Sequence, residues 1–244
     1  KDSIKCPAAA SFKHVSPAGV ALGIPYSNEE CKFLNFTLEQ LKNFSPIALA
    51  YIRARNCDPK SSFGDFIAVN EKVDITLAKY IKSSISDGII APDYDPEALE
   101  VLKNKKKGKY VILKGNKIDK FNYDYKQYGN LLIRQTANNY VYNESDFSNI
   151  QTKNSKIKST ALRDMIMSMI TMKYTQSNSV GYVFNGQMIG IGAGQQSRID
   201  CTVLARNKAY IWFQRHNPEI YAFIQDLPCE MKRQDKINAA FKKI

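Results

Sequence analysis

Lys13 and His14 stand side by side in a chain with only two histidines. Histidine is the commonest general base, and an adjacent ammonium disfavours the protonated imidazole, which keeps the ring able to take a proton. The plainer reading of such a pair is a surface lysine beside a hydrogen-bonded core histidine. A second concentration of chemistry spans residues 173–201. It enters through the polar run Thr175–Ser179 and leaves through Gly190, Gly192 and Gly194 into Ser197 and Arg198. Glycines between a strand and a helix can present backbone N–H groups to a phosphate, or they can let two backbones pack closely. A guanidinium in the first turn of the helix suits a phosphate or a carboxamide. The spacing is not a dinucleotide fingerprint, because the third glycine comes one position early, and no Gly-Lys-Ser/Thr makes it a P-loop. Ser61-Ser62-Phe63-Gly64-Asp65 and Ser86-Asp87-Gly88 are further polar knots at strand ends, where α/β folds hold ligands. Asp87 before a glycine reads either as an acceptor for ribose hydroxyls or as an Asx turn. His216, near the end of a helix and without such company, reads as structural.

Strands and helices in alternation must position these knots. Ala8–Phe12 predicts a short buried strand ended by a Ser16-Pro17-Ala18-Gly19 turn. Asn28–Asn43 predicts a helix with Asn28 as N-cap, Glu29 and Glu30 in its first turn, and Cys31, Leu34, Leu38 and Leu41 on one face. Strands follow at Phe63–Val69, Gly88–Ala91 and Tyr110–Leu113, and helices at Ile75–Ile85 and from Asp95-Pro96-Glu97 onward. This alternation implies an α/β layered sheet with parallel pairing. Residues 115–158 carry weak periodicity and read as a connecting segment between two lobes. A helix capped by Ser159 then shows a stripe of Leu162, Met165, Ile166, Met169 and Ile170. Val180–Phe184 and Gln187–Ile191 flank Asn185-Gly186, a type I′ hairpin signal. The pattern turns helical again from Ser197, and Pro218–Ile244 reads as helical, amphipathic and basic.

Composition narrows the class. The 244 residues are 44% hydrophobic without an apolar run long enough to span a bilayer, and the start lacks a secretory h-region. Five scattered cysteines without a CxxC pair, with two histidines, argue against zinc and for reduced thiols in a cytosolic, cytoplasmic compartment. The net charge of +12 admits nucleic acid, an anionic membrane or anionic small molecules. The run Lys103–Lys109 lacks interleaved aromatics and reads as a helix end and a solvated loop, so no nucleic-acid or membrane partner is expected. The absence of an initiating Met suggests a fragment.

Taken in order, four blocks resemble the AICAR transformylase family, the formyltransferase part of bifunctional purine-biosynthesis proteins that also carry IMP cyclohydrolase. They are Ser11–Gly19, Ser61–Phe66, Ser86–Pro92 and residues 173–201. The likeness covers nearly the whole chain apart from about residues 115–150 and matches only the central portion of such proteins. It implies tandem cytidine-deaminase-like α/β repeats lacking zinc, a partial first repeat over 1–115, a connecting segment over 116–158, the second repeat over 159–216, and the start of a helical insert over 217–244. It implies transfer of the formyl group of 10-formyltetrahydrofolate to the 5-amino group of AICAR, giving FAICAR, in a homodimer with shared active sites. A structural monovalent cation is left open. Carried residue by residue, the resemblance makes His14 the proton acceptor and Lys13 the transition-state-stabilising lysine. It makes His14, Gly64, Asp87, Asn178 and Arg198 the AICAR contacts and Ile199 a folate contact. Because the flanking parts of the family's site lie outside residues 1–244, the isolated chain is expected to be inactive; a non-catalytic nucleotide-binding fragment is the alternative.

Overall fold

The computed structural model describes residues 3–28, 30–31, 36–115 and 121–244. Its main feature is a seven-stranded mixed sheet built from β1 (Ala8–Lys13), β2 (Ser16–Leu22), β3 (Asp65–Val69), β4 (Ser86–Ala91), β5 (Val111–Lys114), β8 (Ser179–Phe184) and β9 (Gln187–Ala193). The strand order is β5-β4-β3-β1-β2-β9-β8. β3, β4 and β5 are parallel, linked by α3 (Ile75–Ser83) and α4 (Pro96–Lys103); the remaining neighbours are antiparallel.

Strand direction decides where the chemistry can gather. Lys13 pairs with Ser16, Phe12 with Phe66, Asp65 with Ser86, Gly88 with Val111, and Ser179 with Ala193. At the opposite end Ala21 faces Gln187. One rim of the sheet therefore carries the ends of β1 and β9 and the starts of β2, β3, β4, β5 and β8. For the parallel strands this is the amino end, so the knots at Gly64 and Asp87 depart from the carboxyl-end placement usual in open α/β sheets.

The core follows from helix α2 (Pro46–Arg55), capped by the Ser45 hydroxyl and started by a proline. Every residue from Ile47 to Ala54 is buried. A helix apolar nearly all round can only sit inside, and it packs on β1 and β2 with Ile67, Leu77, Ile81, Ile89 and Leu102 in the same cluster. Helix α6 (Arg198–Gln214), capped by Ser197, lies on β9 and β8, and α5 (Ser159–Lys173) packs on β8.

Several expectations are corrected. Ser16–Gly19 is no turn: it opens β2, and the reversal is made by His14 and Val15 alone. The single helix over 28–43 gives way at Phe36 and Thr37, where Thr37 and Gln40 form a capping box that starts the separate α1 (Leu38–Lys42); Glu29 and Leu34 lie outside the described residues. Ser159 does not cap α5, because Lys158 occupies the cap position. The buried side of α5 is Asp164, Ile166, Met167 and Thr171, while Met169 is exposed. Within the segment read as a connection, residues 123–136 form a hairpin, β6 (Tyr123–Tyr128) with β7 (Leu131–Thr136). The Asn185-Gly186 turn is as expected, with φ of 46° and 67°. Pro218–Ile244 forms two helices, α7 (Pro218–Asp226) and α8 (Arg233–Lys243).

All five cysteines are free thiols. Among the described residues no helix is long and apolar enough to cross a membrane, and no cluster of three or more His, Cys, Asp or Glu side chains could hold a metal ion.

Candidate functional site

Lys13 ends β1 with its ammonium turned toward the loop before β3, donating to the carbonyls of Phe63 (2.7 Å) and Gly64 (3.2 Å). Gly64 has φ of +69°. A β-carbon there would stand 3.3 Å from Lys13 Nζ and 3.7 Å from Asp87 Oδ2, so Lys13, Gly64 and Asp87 meet at one point of the rim. Next to it, His14 sits exposed in the β1–β2 turn with φ of 56°, a left-handed conformation that costs a non-glycine residue energy and often marks functional positions. Asp87 belongs to β4 and its carboxylate pairs with Lys106, so the Asx-turn reading is not what the chain adopts.

A buried polar network holds this corner in place. Asp65, fully buried, accepts from Ser11 Oγ (2.7 Å), Tyr51 Oη (3.1 Å) and Arg55 Nη1 (2.8 Å). Arg55 also donates through Nη2 to the Ile85 carbonyl (2.9 Å), which receives the Gly64 N–H as well (3.1 Å). One guanidinium thus ties together the segments that present Gly64 and Asp87. Burial pushes the Asp65 carboxyl up, against the opposing pull of Arg55.

The lysine run is solvated as expected at Lys103, Lys106, Lys107 and Lys109, with Lys105 the exception. Lys105 is buried, its ammonium donating to the Ser84 carbonyl at 2.5 Å. Burial, then the neighbouring Lys106 ammonium, pull its amine down. Lys106 and Lys107 follow with φ of 52° and 54°, and Lys106 Nζ meets Asp87 Oδ1 at 2.5 Å. A left-handed backbone costs a non-glycine residue about 1–2 kcal/mol, whereas an exposed ion pair returns about 0.2–1 kcal/mol.

The second group lies along the same rim. Gln176 N–H donates to Ser16 Oγ (3.0 Å), two residues beyond His14, and so fastens the polar run to the β1–β2 turn. Asn178 Nδ2 donates to the carbonyls of Gln195 (3.2 Å) and Gln196 (3.1 Å), while the Cys201 thiol lies 2.8 Å from the Asn178 carbonyl. The side-chain donors of Asn178 are therefore engaged, leaving Oδ1 as its free acceptor. Arg198 and Ile199 open α6 and are exposed, Ile199 at 75%. Ser197 Oγ already accepts from the N–H groups of Ile199 and Asp200, which occupies the donors a phosphate cradle would need. The glycines serve packing instead: a β-carbon at Gly190 or Gly192 would stand 2.2 Å from the carbonyl of Ala205 or Cys201 on α6. His216 is structural, its Nδ1 2.8 Å from the Trp212 carbonyl and its ring against the indole.

Three residues that build this rim escaped sequence reasoning: Arg55 beneath it, and Lys106 and Ser16 on it. A charge closing an otherwise apolar helix was the available signal for Arg55. Lys106 and Ser16 had none that separates them from surface polar residues. Two clefts lie near this corner: one of about 590 Å³ between α8, Arg55 and the Phe63 and Ile85 loops, another of about 360 Å³ by Asp58, Lys208 and Phe241. Neither is lined by Lys13, His14, Gly64, Asp87, Asn178 or Arg198, and chemistry rather than volume marks the rim.

Comparison with known proteins adds an independent line. The sequence model of the family described as AICARFT/IMPCHase bienzyme matches residues 2–208. Among curated relatives, the bifunctional purine biosynthesis protein PurH of Aquifex aeolicus (strain VF5) is 32% identical over 205 residues, covering 82% of this chain and 34% of that protein. PurH of Petrotoga mobilis is 30% identical over 192 residues (79% and 32%), and PurH of Clostridium botulinum 32% over 192 residues (79% and 33%). The chain spans about a third of the length of these relatives.

Proposed function

The chain belongs to the AICARFT/IMPCHase bienzyme family, and on that premise we propose that it carries the formyl-transfer chemistry of purine biosynthesis. In this reading AICAR accepts the formyl group of the co-substrate 10-formyltetrahydrofolate and leaves as FAICAR. The observation that carries the reading is the meeting of Lys13, Gly64 and Asp87 at one point of the rim, next along the chain to His14, with the Asn178–Arg198 segment fastened to the same rim through Ser16.

The chemistry follows from what each group can do. The AICAR amine is a poor nucleophile, so its proton must leave as its nitrogen bonds to the formyl carbon, and His14 takes that proton. Two of the three Lys13 ammonium hydrogens point at the Phe63 and Gly64 carbonyls. The third is left to stabilise the developing oxyanion or to protonate the departing folate nitrogen as its bond to the formyl carbon breaks. Asp87 accepts from the ribose, Asn178 Oδ1 from the carboxamide N–H, and Arg198 offers its fork to the nucleotide. Ile199, exposed beside Arg198, presents an apolar face to the folate. The net charge of +12 suits two anionic ligands.

We further read residues 1–115 and 159–216 as two cytidine-deaminase-like repeats, joined by residues 116–158 and followed from 217 by the start of a helical insert. The proposed unit is a homodimer with shared sites. The β6–β7 hairpin supports it, since all twelve strand residues, among them Tyr125, Tyr128, Leu131 and Leu132, are exposed, and an isolated two-stranded hairpin is marginal in water.

Formyl transfer from 10-formyltetrahydrofolate to AICAR, measured on the 244-residue chain and on a polypeptide extended to the relatives' length, tests the proposal. Turnover that appears with the extension and requires both substrates supports it. AICAR binding without turnover in both would leave a nucleotide-binding module instead.

A further inference from the structure

We propose that Lys106 is a positioning residue for Asp87, holding one carboxylate oxygen so that the other is presented to the ribose of the nucleotide. The inference rests on the reading above, in which Asp87 receives that ribose. Three observations carry it. Lys106 Nζ engages Asp87 Oδ1 at 2.5 Å. The other oxygen, Oδ2, lies 3.7 Å from where a Gly64 β-carbon would stand, the same point that Lys13 Nζ approaches to 3.3 Å. With Oδ1 held by the ammonium, the carboxylate is fixed in direction and Oδ2 is aimed at that point.

The second observation is how Lys106 is delivered. Lys105 is buried, and its ammonium is fixed on the Ser84 carbonyl just past the end of α3, which anchors the turn one residue before Lys106. The third is the backbone. Lys106, Lys107 and Gly108 are consecutive left-handed residues, with φ of 52°, 54° and 82°. A turn kept in a conformation costlier than its exposed ion pair returns is better accounted for by where it aims a side chain than by stability.

The test uses the native polypeptide that contains these residues, with formyl transfer to AICAR as the assay. Lys106→Met should raise the nucleotide KM about fivefold with kcat within about twofold, and Lys106→Arg should restore most of that loss. Lys106→Gly, which fits the left-handed backbone, should weaken the nucleotide KM similarly without lowering Tm; a merely structural lysine would not separate the two. In an Asp87→Ala background, Lys106→Met should have no further effect. If Asp87→Ala raises KM but Lys106→Met does not, or if the Lys106→Met loss persists without Asp87, the positioning role is wrong while the ribose reading stands. If Asp87→Ala leaves KM unchanged, the ribose reading fails and the positioning role with it.

Discussion

Asp65 and Arg55 show how a single buried pair can set the geometry of a rim it never reaches. Arg55 compensates a fully buried carboxylate and, with its second nitrogen, fixes the carbonyl that also receives Gly64 N–H. Arg55→Met would leave Asp65 buried without its counter-charge, a loss of about 3–5 kcal/mol, measurable by urea unfolding; a change below about 1 kcal/mol would mean that Asp65 is compensated otherwise. Residue types drew attention to Lys13, His14 and Asp87, but by themselves they fitted a surface lysine beside a core histidine and an Asx turn equally; only the family resemblance gave the three their roles. Lys106 was illegible for a physical reason: three successive lysines look alike in sequence, and only the fold anchors Lys105 on the Ser84 carbonyl and brings Lys106 to Asp87.

At the scale of elements, the glycines that drew attention in residues 173–201 turn out to set a helix-to-sheet distance. Gly190 and Gly192 let α6 lie on β9 with no room for a methyl group, so α6 carries Arg198 and Ile199 close to the sheet rim. Gly192→Ala must push Cys201 and its helix outward. We expect a loss of about 1–3 kcal/mol by thermal or chemical unfolding; unchanged stability would show that α6 shifts freely. Legibility here tracks periodicity and turn chemistry. The Asn185-Gly186 hairpin could be read because its turn needs two left-handed residues. β2 was obscured by Pro17 and Gly19, residues that usually signal turns. β6 and β7 were obscured because strands exposed on both faces carry no apolar alternation to read.

For the molecule as a whole, the informative fact is that one continuous sheet brings residues from 13 to 198 to the same rim. Strand order across β1, β2 and β9 does this, and pairing between segments more than 160 residues apart leaves no local signal in sequence. Closure between these segments also depends on buried groups near the C-terminal side. Burial, reinforced by the Arg215 charge, holds the His216 pKa below 6.5, with Glu30 and the Trp212 carbonyl opposing. The unfolded ring takes up a proton below about pH 6.5 and the folded ring resists it, so this contribution is complete above that pH and is lost as pH falls toward the folded value. Tm should therefore drop more steeply between pH 7.5 and 5 in wild type than in His216→Gln; parallel curves would contradict the assignment. The central claim, that the rim acts as a formyl-transfer site with His14 as its base, is tested most directly by turnover and AICAR affinity of His14→Ala in the native polypeptide. The account predicts a loss of turnover of about 10²-fold or more with nucleotide affinity changed only a few-fold, and turnover near wild type would contradict it.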